Sequence, residues 1–413
     1  MKKYITAILL SGLTLSSFGS GYKIPEQSER SLATAAAYFS SANFADVSYY
    51  NPANMSWLKD KKFLEIGTRY IHLNKINFNG QAYDPVSKTF VISNAKSKSE
   101  DFLVPYFHFV SSPFIENARL GLSFVTPAGL SKRWTAKGQK ATAEEFTLKV
   151  YEFDSSVSYK ITDKFSIAGT ARLIYATGKV KYQAPPVYQV NMDGNSSIKT
   201  GWAVSASLKP TENWNISTIY RSKVDLDING SIKGYLNVPT LGISRNPISP
   251  SGGDVKIPLP AEWKLGTSYK IKNTTLEFTF ERTFWSKYKT LDFNFADPYA
   301  EAILGQPKAK NWKDSNAYRF GITHEFNKKL TVLGGIAYDK TPIPEKTLGF
   351  ELPDSDSWIF SVGSIYSPNK RVEIGLAYLY VTKKDRNVNN DNIKGKFSDL
   401  SAHLFNVEVG YKF

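Results

Sequence analysis

At 413 residues without a single cysteine, the chain is long enough for two or three soluble domains but excludes disulfides, thiolate metal sites and thiol nucleophiles. Tyr (24) and Phe (26) are abundant although the mean hydropathy is below zero, a balance that suits rings lying half in water better than a soluble core of Leu, Ile and Val. The net charge of +15 is spread over strands and loops with no block of five or six like charges, which argues against nucleic acid and for anionic surroundings such as lipid headgroups or carboxylate ligands.

The chain opens with the three-part pattern of an export signal. Lys2 and Lys3 are followed by an apolar run from Ile5 to Leu15, then by small residues Ser17 and Gly19 at the −3 and −1 positions of a cleavage site. The run is too short to span a bilayer, and residues 1–19 are assigned to the signal. No later segment is long and apolar enough to cross as a helix, so any membrane crossing must use strands.

Residues 20–60 do not alternate. They are rich in Ala, Ser and aromatics, and their composition favours packing as a plug over solvation as a periplasmic tail. From residue 61 onward, period-2 alternation marks segments near 62–73, 102–111, 118–130, 146–160, 165–177, 198–209 and 214–226. It continues at 260–271, 275–286, 314–327, 330–339, 356–367, 371–381 and 403–413, making fourteen, an even number. Short connections carry turn residues, such as Ser-Pro at 112–113 and Lys-Asn at 272–273. They alternate with long polar ones at 131–145, 178–197, 227–259, 287–313 and 382–402. Short periplasmic turns and long outer loops are the rhythm of an outer-membrane barrel.

The two faces of each strand agree with that rhythm. Phe405, Val407, Val409, Tyr411 and Phe413 share one face, opposite Asn406, Glu408 and Lys412; Phe278 and Phe280 oppose Glu277, Thr279 and Glu281. An inward apolar face could not be filled by side chains in so wide a barrel, so the apolar face must meet lipid. The expected fold is all-β: a fourteen-stranded antiparallel transmembrane β-barrel with an N-terminal hatch inside the lumen. The terminal Phe413 resembles the signal read by the barrel assembly machinery.

Several motifs, in order, resemble the FadL/TodX family of outer-membrane transporters of long-chain fatty acids and hydrocarbons. They are Ser20-Gly21-Tyr22, the run from Ser40 to Asn51-Pro52-Ala53, Leu120-Gly121 with Pro127-Ala128-Gly129-Leu130, and Leu259-Pro260 with Gly266 and Tyr269. Phe284-Trp285-Ser286, Asn311-Trp312-Lys313-Asp314, Tyr338 to Pro342, Leu352-Pro353-Asp354 and Lys394-Gly395-Lys396 complete the set. The resemblance implies a hatch carrying Tyr22, Asn51, Pro52 and Ala53, ligand capture by apolar outer loops, and a side exit at a kink in the third strand. Pro127 and Gly129 fall in that strand, and two readings stand: a kink, or the end of a shorter strand. It also implies a Gram-negative outer-membrane location, with membrane lipid and a hydrophobic small molecule as partners and no cofactor.

A fatty acid would need a cation beside an apolar slot. By parity the lumen candidates are Arg69, Arg172 and Arg319, and the lumen also carries Glu65, Glu152, Asp154, Glu277 and Glu281; the alternative is that these charges pair and brace the wall. The four His residues show no metal-ligand spacing and no G-x-S-x-G elbow is present, so an enzyme is not expected. The reading is passive uptake of hydrophobic compounds. The alternatives are a general water-filled porin, which would lack a packed leader, and a barrel lipid hydrolase.

Overall fold

A computed structural model describes residues 19–239, 242–245, 247–248 and 252–413; the candidate signal, apart from Gly19, lies outside them. Fourteen strands form the barrel in chain order. They are β1 (Phe63–Leu73), β2 (Glu100–Val110), β3 (Ala118–Arg133), β4 (Glu145–Thr162), β5 (Phe165–Ala184), β6 (Lys199–Thr211) and β7 (Trp214–Arg221), then β8 (Glu262–Ile271), β9 (Thr274–Thr283), β10 (Ser315–Glu325), β11 (Leu330–Asp339), β12 (Ser357–Tyr366), β13 (Val372–Lys383) and β14 (Ser401–Lys412). Each pairs antiparallel with its sequence neighbours, and β14 closes on β1 from Phe63 opposite Lys412 to Leu73 opposite Ala402.

The ring closes first strand to last, and the faces divide as the alternation requires. Phe405, Val407 and Val409 are about half exposed on the outside, while Asn406 and Glu408 between them are buried. The same holds for Phe278 against Glu277 and Thr279. The lipid-facing wall is therefore apolar and the interior is polar.

The outer connections correct the sequence reading in one respect. Residues 178–197 and 227–259 are not plain polar loops. Strand β5 runs on to Ala184, and Tyr188–Ser196, Val224–Val238 and Gly252–Leu259 pair in turn to continue the sheet through the long-loop end. Likewise the segment placed at 214–226 divides, with β7 ending at Arg221 and a loop strand starting at Val224. Asn77–Asp84, Thr89–Ile92, Ala95–Lys96, Arg386–Asn389 and Ile393–Ser398 form a separate five-stranded sheet over the barrel mouth. The missed signal was a short alternation of apolar residues, with Val224, Leu226, Ile228 and Ile232 buried on one strand and Val255 and Ile257 on another.

The hatch fills the lumen. Two short helices, α1 (Glu29–Ala33, capped by Ser28) and α2 (Val47–Tyr50), and a 3-10 turn over Pro52–Trp57 are buried almost throughout. Their seat is made by absent side chains on the wall: a Cβ on Gly335 of β11 would lie 2.1 Å from the Thr34 backbone, and one on Gly363 of β12 would lie 2.5 Å from Ala33.

Candidate functional site

The hatch is held by the carboxylates that parity places inside the wall. Glu277 accepts from the backbone N–H groups of Phe39, Ser40 and Ser41 at 2.6, 2.8 and 2.8 Å. Glu65 accepts from Asp46 N at 2.5 Å and from Arg30, and Glu408 accepts from Glu29 N at 3.0 Å. These charges thus brace the plug as well as the wall, and charge-assisted bonds to backbone donors are the strong kind.

Asn51, Pro52 and Ala53 dock on a set of wall serines. Asn51 Nδ2 donates to Ser207 Oγ at 2.9 Å, Ala53 N donates to Ser205 Oγ at 3.1 Å, and Ser166 donates to Ala53 O at 2.8 Å. Pro52 opens the 3-10 turn at the position where its missing N–H costs nothing. The serines recur at inward positions of β4 to β7, a signal that sequence reasoning passed over because serine lining has no single meaning on its own.

The wall is interrupted at β3. Its lower half alternates between inner and outer positions, but from Val125 to Lys132 every residue is buried. The register against β4 shifts between Val125 and Ala128, and β2 pairs with β3 only from Phe107 to Val110. Beyond that point β3 stays paired with β4 but no longer with β2, and a gap opens in the wall between β2 and β3. Pro127 lies inside the shift, where it cannot donate to a ladder.

The hatch supplies the missing partners. Ile24 N donates to Pro127 O at 2.8 Å, Gly129 N donates to Tyr22 O at 2.9 Å, and Lys23 and Ala128 form an antiparallel bridge. The Gln27 amide receives Thr126 N at 3.0 Å and donates to Thr126 O at 2.8 Å, so a side chain stands in for a strand peptide. Nothing in the sequence pointed to Gln27.

Tyr22 is buried, with its hydroxyl donating to Pro258 O and its ring edge-on to Trp285 at 4.6 Å between centroids. The preceding Gly21 has φ +69, and a Cβ there would lie 2.7 Å from the Trp285 ring, so glycine is required on both counts.

The three arginines singled out by parity are all buried; Arg172 and Arg319 are engaged by protein, whereas Arg69 Nε and Nη1 have no partner among the described residues. Arg172 makes a two-point contact with Glu152 at 2.9 and 2.8 Å and donates to Ser222 O at 2.7 Å. Arg319 donates to Ala35 O of the hatch at 3.1 Å and to Asp339 at 3.4 Å. Arg69 lies 3.5 Å from Gln27 Oε1. None of the three borders the cavities that follow.

An apolar cavity of about 500 Å3 lies between the loop strands and β4–β5, walled by Val180, Ile228, Ile232, Val255, Phe293 and Phe295. Phe146 and Ile257 border both it and a second cavity of about 420 Å3, closed by Tyr22, Leu148 and Trp312. Lys310 reaches this second space and pairs with Glu351 at 2.5 Å. Burial pushes the Glu351 carboxyl up, but the Lys310 ammonium outweighs it and holds the group below its ordinary range. A third cavity, also about 500 Å3, shares Leu130 and Leu352 with the second. Below the hatch, at the short-turn end, a polar vestibule of about 1880 Å3 is lined by Lys59, Lys209, Lys270 and Lys370.

A closed, lipid-faced barrel whose lumen is plugged, with apolar cavities above the plug and a break in the wall beside it, defines an outer-membrane transporter rather than an open pore. The family model for outer membrane protein transport proteins (OMPP1/FadL/TodX) matches residues 10–413, and the chain belongs to that family. It is 26% identical over 448 residues to the 47 kDa outer membrane protein of Pasteurella multocida, covering 100% of this chain and 99% of that one. It is 24% identical over 361 residues to a long-chain fatty acid transport protein of Escherichia coli, covering 78% of this chain and 79% of that one. Among solved structures, a Pseudomonas aeruginosa FadL homologue superposes with a TM-score of 0.81 at 18% identity, over 95% of this chain and 99% of the other. The family and these relatives place the chain in the outer membrane as a transport protein.

Proposed function

We propose that the chain carries long-chain fatty acids or other hydrophobic small molecules passively across the outer membrane, after export directed by residues 1–19. Ligand enters the apolar cavity between the outer loop strands and passes Phe146 and Ile257 to the cavity closed by Tyr22. It leaves sideways at the β3 register shift, between β2 and β3.

The observation that carries this reading is the pairing of hatch residues Tyr22 to Ile24 with the displaced part of β3. The hatch blocks the straight path down the lumen and also borders the break in the wall, so a small shift of one segment opens the sideways route. Pro127 and Gly129 form the exit, and Tyr22 with Asn51, Pro52 and Ala53 forms the gate. In this reading Arg69, Arg172 and Arg319 hold hatch and wall, and recognition of a ligand head falls to lysines beside the cavities. The packed hatch disfavours the porin alternative, and neither a hydrolytic mechanism nor a cofactor enters this route.

The test is uptake of a radiolabelled long-chain fatty acid, with toluene in parallel, by cells with and without the protein. A strain lacking hatch residues 22–53 serves as the ungated control. Faster entry of either ligand supports the proposal. Faster entry of small sugars with neither ligand would replace it by a porin.

A further inference from the structure

Three lysines are buried among the described residues: Lys23, Lys132 and Lys310. Lys23 sits between Glu262, at 3.0 Å, and Glu281, and Lys310 pairs with Glu351. The ammonium of Lys132, near the outer end of β3, makes no hydrogen bond or ion pair with any described residue, yet the residue is only 5% exposed. Glu100, the carboxylate next to this stretch, is already engaged by Ser131 Oγ at 2.5 Å and by Arg133. Those two residues flank Lys132 on the strand, and Ser131 borders the same third cavity as Lys132.

Lys132 lines the third cavity. The walls around it are Leu73, Ile76, Leu130, Val381 and Leu400, and the second cation at the rim, Lys383, is neutralised by Asp354 at 2.5 Å. An ammonium in such a place is strongly unfavourable without an anion. Its lining is mostly apolar, with Asn74, Ser131 and Ser401 as neutral polar neighbours, and the Lys132 ammonium is the one charge in it without a hydrogen-bond or ion-pair partner among the described residues. It adjoins the second cavity through Leu130 and Leu352, and Leu130 stands on β3 just beyond the register shift.

We propose that Lys132 is a specificity-determining residue that receives the carboxylate of a fatty acid in this third cavity, so that the chain selects anionic amphiphiles over uncharged hydrocarbons. The inference rests on the transport reading above and narrows it to one ligand class. The lysine is a stability cost retained for a ligand. It follows that removing its charge leaves the empty protein at least as heat-stable while weakening binding of the anion.

The experiment is equilibrium binding of labelled decanoate and of labelled decanol to the full protein in lipid nanodiscs, for the parent chain, Lys132→Met and Lys132→Arg. The expected result is a loss of decanoate affinity in Lys132→Met of roughly tenfold or more, the size of a lost charge-assisted hydrogen bond. Decanol binding stays within about twofold, Lys132→Arg retains the preference for the acid, and the Tm of Lys132→Met does not fall. A parent chain that binds decanol but not decanoate overturns this inference and leaves the transport reading standing; one that binds neither sinks the transport reading itself. Equal loss of both ligands, loss of neither, or a Lys132→Met protein that is less stable or fails to fold would each show that the lysine serves the wall and not the ligand.

Discussion

Glu277 ties three consecutive backbone donors of the hatch to the wall, together with the Ser41 hydroxyl. With the carboxylate gone, those N–H groups lose their acceptor at a buried site. Glu277→Ala is therefore expected to weaken hatch docking by about 1–3 kcal/mol. The check is hydrogen exchange by mass spectrometry, which should show faster exchange confined to residues 37–45 while the strands stay protected. Unchanged exchange there would mean that the hatch is held by its apolar packing alone. Parity placed Glu277 inside, because a side-chain period of two is written in the local sequence. Its partner, some 240 positions away in the chain, is not.

On the scale of the element, β3 is one strand with two environments. Below Phe124 it is half lipid-facing, and above it is buried on both sides and paired to the hatch. Pro127 and Gly129 flagged a local defect, but they could not tell a bent strand from one that ends. That choice depends on the Tyr22–Ile24 segment and on the Gln27 amide, which are far from β3 in sequence. The protein has no native cysteine, so an engineered pair reports cleanly. Lys23 and Ala128 face each other across an antiparallel bridge, a separation that a disulfide can span. Glu281 would keep Lys264 at 3.2 Å after Lys23 is replaced. In Lys23→Cys with Ala128→Cys, oxidation is expected to bring fatty-acid uptake down to the level of cells lacking the protein, and reduction to restore it. Full uptake with the bond quantitatively formed would mean that the hatch segment need not leave β3.

The whole molecule depends on ring closure between its first and last strands. Phe413 follows β14, donates its N–H to Lys62 O at 3.1 Å and leaves its ring half exposed. If that ring is what the assembly machinery reads, deleting Phe413 lowers outer-membrane abundance several-fold. The same chain refolded in detergent still forms a heat-modifiable barrel. Equal abundance in cells, measured by quantitative blotting of outer membranes, would remove the terminal aromatic from assembly. The sequence by itself determined the barrel, the presence of all fourteen strands and the bounds of twelve of them to within a few residues, which face meets lipid and which meets the lumen. Those properties follow from alternation, turn chemistry and the need to satisfy every backbone group in a bilayer. Only the tertiary structure decided that the lumen carboxylates hold the plug, that the outer loops are strands walling apolar cavities, and that the Lys132 ammonium is buried with no hydrogen-bond or ion-pair partner among the described residues. Each of these depends on which distant segments meet, and no local period of the chain encodes it.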